Sequence, residues 1–269
     1  TSETYRCASD HPDPDRLAEK DAGCQSYATF RPRRLSAEEL RDAMLAVSGE
    51  LNTAMGGPPI RPEIHPEAAT QPRHIMGSVA PAYQPSPTAA ERHRRTIYAE
   101  RIRTLRDPLL EVFNQPGPDA SCEVRESSTV TPQAFTLLNS RNSQMRAVAL
   151  ARRLEEFSDN RSEQVSAAFL LLYGRHATAE EIELSVEHVV QMSQTHRQSP
   201  AQRYQPPTYV VREMVEEMTG LKFYWVEDLD VYRDSFQADP QMADLAPDTC
   251  GLAELCLVLL NSNEFVYVY

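Results

Sequence analysis

Residues 121–133, SCEVRESSTVTPQ, gather the residue types most able to grip an anion. Arg125 offers a guanidinium, and Ser127, Ser128 and Thr129 offer hydroxyls, just ahead of a Thr131-Pro132 pair that reads as a helix start. A helix start presents free N–H groups and partial positive charge, so the cluster is a candidate sulfate, phosphate or carboxylate site. The competing expectation, favoured here, is that Arg125 pairs with a carboxylate and the hydroxyls cap the helix. Cys122 shares the segment, but a thiolate nucleophile needs a base and no histidine lies close to it in sequence.

Asp228, Asp230 and Asp234, with Asp239 and Asp244 beyond them, form an oxygen-rich stretch and are the calcium candidates. The glycine and terminal glutamate of an EF-hand loop are missing, so a solvated acidic loop is the favoured reading. The seven histidines make no HExxH and no i, i+4 pair; His74 and Met76 are the two residues that could be imagined on a haem iron. The five cysteines form no CxxC, CxxCH or zinc-finger spacing, so the chain has no c-type haem attachment motif and no cofactor is expected in it beyond calcium. Cys7 and Cys24 flank a polar loop that a disulfide could staple in an oxidising compartment. Tyr204, Tyr209, Phe223, Tyr224, Trp225 and Tyr232 could stack on sugar rings or anchor an interface. No catalytic residue is assigned, because no carboxylate pair or triad stands out by spacing.

The elements that must position these residues read as mainly helical. Charged residues at 25% and hydrophobic ones at 41% are globular values, and a net charge of −12 argues against a nucleic-acid partner. All but two of the 27 basic residues are arginine, which reads as coding bias more than anion chemistry. No apolar run approaches the roughly 20 residues of a membrane span, and no signal peptide is visible. The opening TSETYRCASD, without an initiator Met, suggests a processed product or an excised fragment.

Residues 1–34 read as an irregular arm. Residues 35–194 read as a helical core interrupted by a loop, 56–90, with eight prolines, long enough to be a wrapping or binding segment. Ser36 and Glu39 form a capping box for a helix carrying Leu40, Met44, Val47, Leu51 and Met55. A strand is expected near 96–103, and helices over 108–113, 132–139 and 143–157 with Phe135, Leu138, Met145, Val148 and Leu154 inward. The clearest unit is an αα-hairpin: a helix over 162–173 stopped by Gly174, then one opened by Thr178 and Glu181 and running to about Gln194. Its second helix is too acidic to read DNA as a helix-turn-helix. Residues 195–248 read as a linker, a helix over 208–219 closed by Gly220, and an aromatic, acidic insertion. Residues 249–269 read as a helix buried on every side, a stop at Asn261 and Asn263, and a tail with Phe265, Tyr267 and Tyr269 held between layers.

RRLSAEELRDAMLAVSGELNTAMGGPP (33–59), QPSPTAAERHRRTIYAERIRTLRDPLLEVFNQPGPDASC (84–122), STVTPQAFTLLNS (128–140), LLYGRHATAEE (171–181) and LCLVLLNSNEFVYVY (255–269) together resemble the C-terminal domain of unknown function of planctomycete-type secreted proteins. The resemblance spans essentially the whole of 1–269 and implies that the chain is the C-terminal part of one family domain. In that family the domain usually follows a second domain of unknown function and often a c-type cytochrome domain. The resemblance therefore implies export, to the periplasm or cell surface, and a partner polypeptide: the N-terminal part of the same precursor or other subunits.

The resulting fold expectation is antiparallel helical pairs wrapped by proline-rich loops, with at most a small β element. The leading functional expectation is a non-catalytic structural or interaction module of an exported multi-chain assembly, with Tyr224, Trp225, Phe265, Tyr267 and Tyr269 as interface candidates. A carbohydrate-related enzyme or glycan-binding module is the alternative, and an accessory that docks a c-type cytochrome for electron transfer is the second.

Overall fold

A computed structural model describes residues 8–23, 25–75, 78–118 and 121–269. The expected Cys7–Cys24 staple and Met76 lie outside the described residues. The chain is mainly α, with three two-stranded antiparallel sheets among those residues.

Helices α2 (Ala37–Val47), α5 (Pro108–Val112), α6 (Thr131–Asn139), α7 (Arg141–Phe157), α8 (Arg161–Tyr173), α9 (Ala179–Gln198) and α10 (Pro247–Leu260) surround the main core, after a short α1 (Pro14–Lys20), α3 (Pro66–Thr70) and α4 (Ala89–Arg92) in the arm and the loop. Helix α10 is the hub, packed against α7 and α9, because its apolar residues occur all round it. Leu252, Leu255, Cys256, Leu257, Leu259 and Leu260 are buried, while Val258 stays 49% exposed. Gly174 ends α8 in the left-handed region (φ 69°), and the Thr178–Glu181 capping box opens α9, making the expected αα-hairpin. Helix α9 runs one turn further than expected, to Gln198.

Several expectations change. The first capping box is present, but α2 ends at Val47 because Gly49 takes φ 81°, so Leu51 and Met55 lie beyond it. Residues 96–103 make a 3-10 turn at Thr96–Tyr98 and isolated bridges in place of a strand. Phe135 is 62% exposed and Leu137 is buried in α6 instead. The expected helix over 208–219 is a strand. Tyr209–Val215 (β4) pairs in register with Lys222–Asp228 (β5), after β1 (Arg33–Arg34), β2 (Arg73–Ile75) and β3 (Ser78–Ala80). Valines and aromatics are concentrated in both strands, as in Tyr209-Val210-Val211 and Phe223-Tyr224-Trp225-Val226, and the turn is closed by the Glu216 carboxylate accepting from the Met218 (3.0 Å) and Thr219 (2.6 Å) N–H groups. Gly220, at φ 70°, is a turn residue of this hairpin and not a helix stop.

At the C-terminus the Asn261 N–H closes α10 and the Ser262 hydroxyl caps a short α11 (Asn263–Val266). Phe265 and Val266 are buried, Tyr267–Val268 (β6) pairs with β1, and Tyr269 is exposed. The tail is therefore enclosed at its start and open at its end.

The proline-rich loop lies over the helices with a small core of its own, Ile64, Ala69 and Tyr83. Proline leaves its carbonyls without ladder partners, and those carbonyls must be satisfied if buried. Arginines do this. Arg92 donates to the Ser86 (3.1 Å) and Pro87 (2.8 Å) carbonyls, Arg94 to those of Gly56 and Pro58 (the latter at 3.1 Å) and Arg212 to that of Thr70 (2.5 Å), while Arg41 pins the segment that follows by donating to the Arg92 (2.6 Å) and Arg94 (3.0 Å) carbonyls. A guanidinium carries five donors in a rigid fork, so one side chain can pin several strands of irregular backbone. The arginine bias thus has a structural use that composition did not disclose.

Candidate functional site

The residues of the expected anion cluster do not converge on free space. Arg125 makes a two-pronged pair with Glu38 at 2.6 and 3.2 Å. The Ser128 N–H and hydroxyl donate to the Asn114 side chain (3.2 and 3.1 Å), and Thr129 shares a 2.7 Å hydrogen bond with the Tyr267 hydroxyl. Ser127 is exposed. The start of α6 is capped by Gln133, whose side chain accepts from the Val130 N–H (3.3 Å), while Thr129 joins this segment to the tail and Ser128 joins it to the Asn114 turn. Asn114, in the left-handed region at φ 64°, organises this join by also accepting from Arg34 (2.8 Å). The Asn-Gln-Pro-Gly turn was its only signal in sequence.

Asp228, Asp230 and Asp234 do converge, and they do so on Arg233, at 3.1, 2.7 and 2.9 Å. The guanidinium occupies the place among these carboxylates that a calcium ion would take. Asp244 pairs with Arg203. Asp239 is different: it is buried, with Arg92 at 2.6 Å, Arg146 at 2.7 Å and His93 Nε2 at 2.9 Å. Burial by itself would raise its pKa, but the His93 hydrogen bond and the Arg146 and Arg92 charges outweigh that and hold the carboxyl well below the usual range. Glu50 completes the cluster 2.9 Å from Arg146, its own pKa raised chiefly by burial. One oxygen each of Glu50 and Asp239 and a ring nitrogen of His93 lie within 4.8 Å of one another, a spacing that suits a metal ion. Two guanidiniums already bond these groups, so a cation there would be opposed by both; the cluster is an ion-pair lock between α4, α7 and the 236–241 segment.

Two clefts flank the proline-rich wrap. The larger, about 850 Å³, is walled by acidic and basic side chains, among them Glu38 paired with Arg125 and Glu111 with Arg106, while Glu100 of the wall pairs with Arg61 outside it. The smaller, about 520 Å³, has mostly apolar walls from α5, α6 and the start of α7.

The hairpin β4–β5 projects two unlike faces. Val210, Arg212, Met214, Phe223, Trp225 and Glu227 form one, with the Phe223 and Trp225 rings stacked at 5.7 Å. Trp225 is half-buried there. Arg212, itself buried, anchors that face by pairing with Glu227 (2.7 Å) and donating to the Thr70 carbonyl (2.5 Å), while Glu227 accepts from the Ala82 N–H (2.6 Å). Tyr209, Val211, Val215, Tyr224 and Val226 form the other face, and all are exposed. The turn adds Leu221 and Met218, the latter 92% exposed.

A helical core, an arginine-pinned wrap and a projecting hairpin define a mainly α module in which no described helix is long and apolar enough to cross a membrane. The chain belongs to the family described as Protein of unknown function (DUF1553), which matches residues 1–189. The match ends within α9, short of the whole-chain resemblance expected, so the hairpin, the acidic loop and α10 lie outside it. No curated protein and no solved structure matches the chain.

Proposed function

We propose that this chain is a non-catalytic interaction module of an exported multi-chain assembly, and that the β4–β5 hairpin is its docking element. The outer hairpin face carries this reading. Five exposed apolar residues sit on one side of a two-stranded sheet, with Glu213 and Lys222 paired at 2.5 Å beside them and Asp228 at the end. An apolar centre with a charged rim is the anatomy of a protein interface, and isolated exposed residues would not align this way. The Arg212–Glu227 anchor holds the hairpin before any partner arrives, which lowers the ordering cost of association. A polypeptide that lays an apolar strand or helix against this face is the partner chemistry that fits.

The test is light scattering of natively purified protein and of a Val211→Glu, Val226→Glu variant. Wild type should elute well above the 30.3 kDa of one chain, and the variant should elute as a monomer with an unchanged thermal midpoint. A wild-type monomer without partners would overturn the proposal. Glycan-array binding abolished by Tyr209→Ala and Tyr224→Ala, with assembly intact, would replace it with the carbohydrate reading. A haem spectrum in the wild-type complex would favour the cytochrome-docking one.

A further inference from the structure

The β4–β5 hairpin is a two-stranded sheet, so each of its strands keeps one open edge. The Leu229 N–H donates to the Thr208 carbonyl (2.8 Å) and the Glu216 N–H to that of Leu221 (2.9 Å), which fixes the phase of the ladder. Bonded pairs in an antiparallel ladder alternate with unbonded ones, so the bonded pairs within the strands are Val210–Glu227, Arg212–Trp225 and Met214–Phe223. The N–H and C=O groups of Lys222, Tyr224, Val226 and Asp228 therefore point away from β4, and no described residue bonds to them. The side chains of these four residues lie on the outer face and all are exposed. β5 is also the freer strand: Phe223 is exposed on the inner face where its neighbour Met214 is half-buried, and Arg212 of β4 is pinned beneath. A seven-residue edge rich in apolar side chains is a template for pairing with another strand.

We infer that β5 pairs antiparallel with β5 of a second copy of this chain, joining two hairpins into one four-stranded sheet. The inference rests on the reading of the hairpin as the docking element and names its partner. Self-pairing centred on Trp225 sets Lys222 opposite Asp228 of the second copy and Tyr224 opposite Val226, and two-fold symmetry repeats each pair. These are the residues whose backbone groups face the open edge, so the same register completes the hydrogen bonds of the ladder. A lysine on an edge strand deters pairing with an arbitrary strand. The chain's own β5 answers it with a carboxylate at each end, and opposite charges across strands are favourable where like charges are not. A slip of two residues in either direction breaks both charge pairs and shortens the ladder. β4 offers no such match: self-pairing about Arg212 would set Val211 opposite Glu213 and bring two Arg212 residues together. The side chains of Lys222 and Asp228 are 61% and 62% exposed, and their contacts with Glu213 and Arg233 are surface pairs that exchange at little cost.

Sedimentation equilibrium of the full chain over a concentration series tests it. Wild type should approach twice 30.3 kDa. Lys222→Asp and Asp228→Lys should each weaken the dimer by about tenfold or more, because each sets like charges opposite at both ends, and the two changes together should restore it. Val226→Pro removes an N–H that faces the open edge and none that bonds to β4, so it should abolish the dimer in a chain still folded by circular dichroism. A double exchange no tighter than either single change, or a dimer indifferent to Val226→Pro, would overturn the inference. So would an assembly that Val211→Glu with Val226→Glu dissolves but the Lys222 and Asp228 changes leave intact; the docking reading would then stand and self-pairing alone would fail. A wild-type monomer would overturn both. If Val226→Pro does not fold, the charge exchange decides it.

Discussion

Asp239 shows how one acidic residue can serve a different purpose from its neighbours. Asp228, Asp230 and Asp234 sit in solvent around Arg233, where ion pairs contribute little. Asp239 is buried against Arg92, Arg146 and His93, so removing it leaves the interior Arg92 guanidinium without a carboxylate and Arg146 with Glu50 alone. Asp239→Ala should therefore destabilise the fold by about 3–5 kcal/mol, against under about 1 kcal/mol for Asp234→Ala. Urea unfolding of the two variants measures both, and comparable midpoints would show that the buried lock contributes no more than the surface cluster. The five aspartates look alike in sequence. What separates them is that residues 236–241 turn back onto α4 and α7, and a linear pattern carries no information on that turn.

At the scale of elements, the αα-hairpin and α10 are held together by a close approach at Gly251. A Cβ there would lie 2.5 Å from the Val189 carbonyl oxygen and 2.9 Å from the Ser193 N–H nitrogen, both backbone atoms of α9. Ser193 itself turns inward, its hydroxyl donating to the Val189 carbonyl at 2.7 Å. The helices can meet this closely only because small residues face each other, as Gly251 and Ser193 do. Gly251→Ala raises helix propensity, which favours stability by up to about 1 kcal/mol. Forcing α9 away should outweigh that gain, with a net loss of about 1–3 kcal/mol. A thermal midpoint equal to or above wild type would mean that α9 shifts freely and that the contact is not tight. A glycine inside an apolar helical run was visible in the sequence, but the backbone it faces was not.

Across the whole molecule, two sets of carboxyls pull stability in opposite directions with pH. Glu50, Glu63 and Asp107 have pKa values raised by burial, so the folded state binds their protons more readily and gains stability as pH falls through those values towards the unfolded ones. Asp239 is held low by His93 and its arginines, and Glu39 is lowered to about 2 by Arg33. The stability these two contribute is present above their unfolded values and disappears as pH falls through the folded ones. Partial neutralisation of the net charge of −12 acts in the same direction as the first set. The thermal midpoint should rise from pH 8 to roughly pH 5 and then fall below roughly pH 4. A midpoint that declines steadily from pH 8 to pH 5 would show that the buried carboxyls do not carry the profile.

The sequence by itself determined the features that depend on near neighbours. Ser36 with Glu39 and Thr178 with Glu181 cap helices because both partners sit within one turn, and Gly174 ends α8 through its own backbone freedom. The membership signalled by those stretches is likewise a property of the chain. Tertiary structure decided the rest. Residues 209–215 mix strand-favouring Tyr209 and valines with helix-favouring Arg212, Glu213 and Met214, so local preference leaves both open. They are a strand because 222–228 pair with them and because Arg212 finds Glu227 and the Thr70 carbonyl. The sites were decided in the same way: Arg125 meets Glu38 from 87 residues away, and Asp239 meets Arg92 and Arg146 from 147 and 93 residues away. Capping and turn energies are summed over a few adjacent residues. Burial, ion pairing and orphaned polar atoms are created by contacts between segments remote in sequence, and no reading of spacing along the chain supplies those.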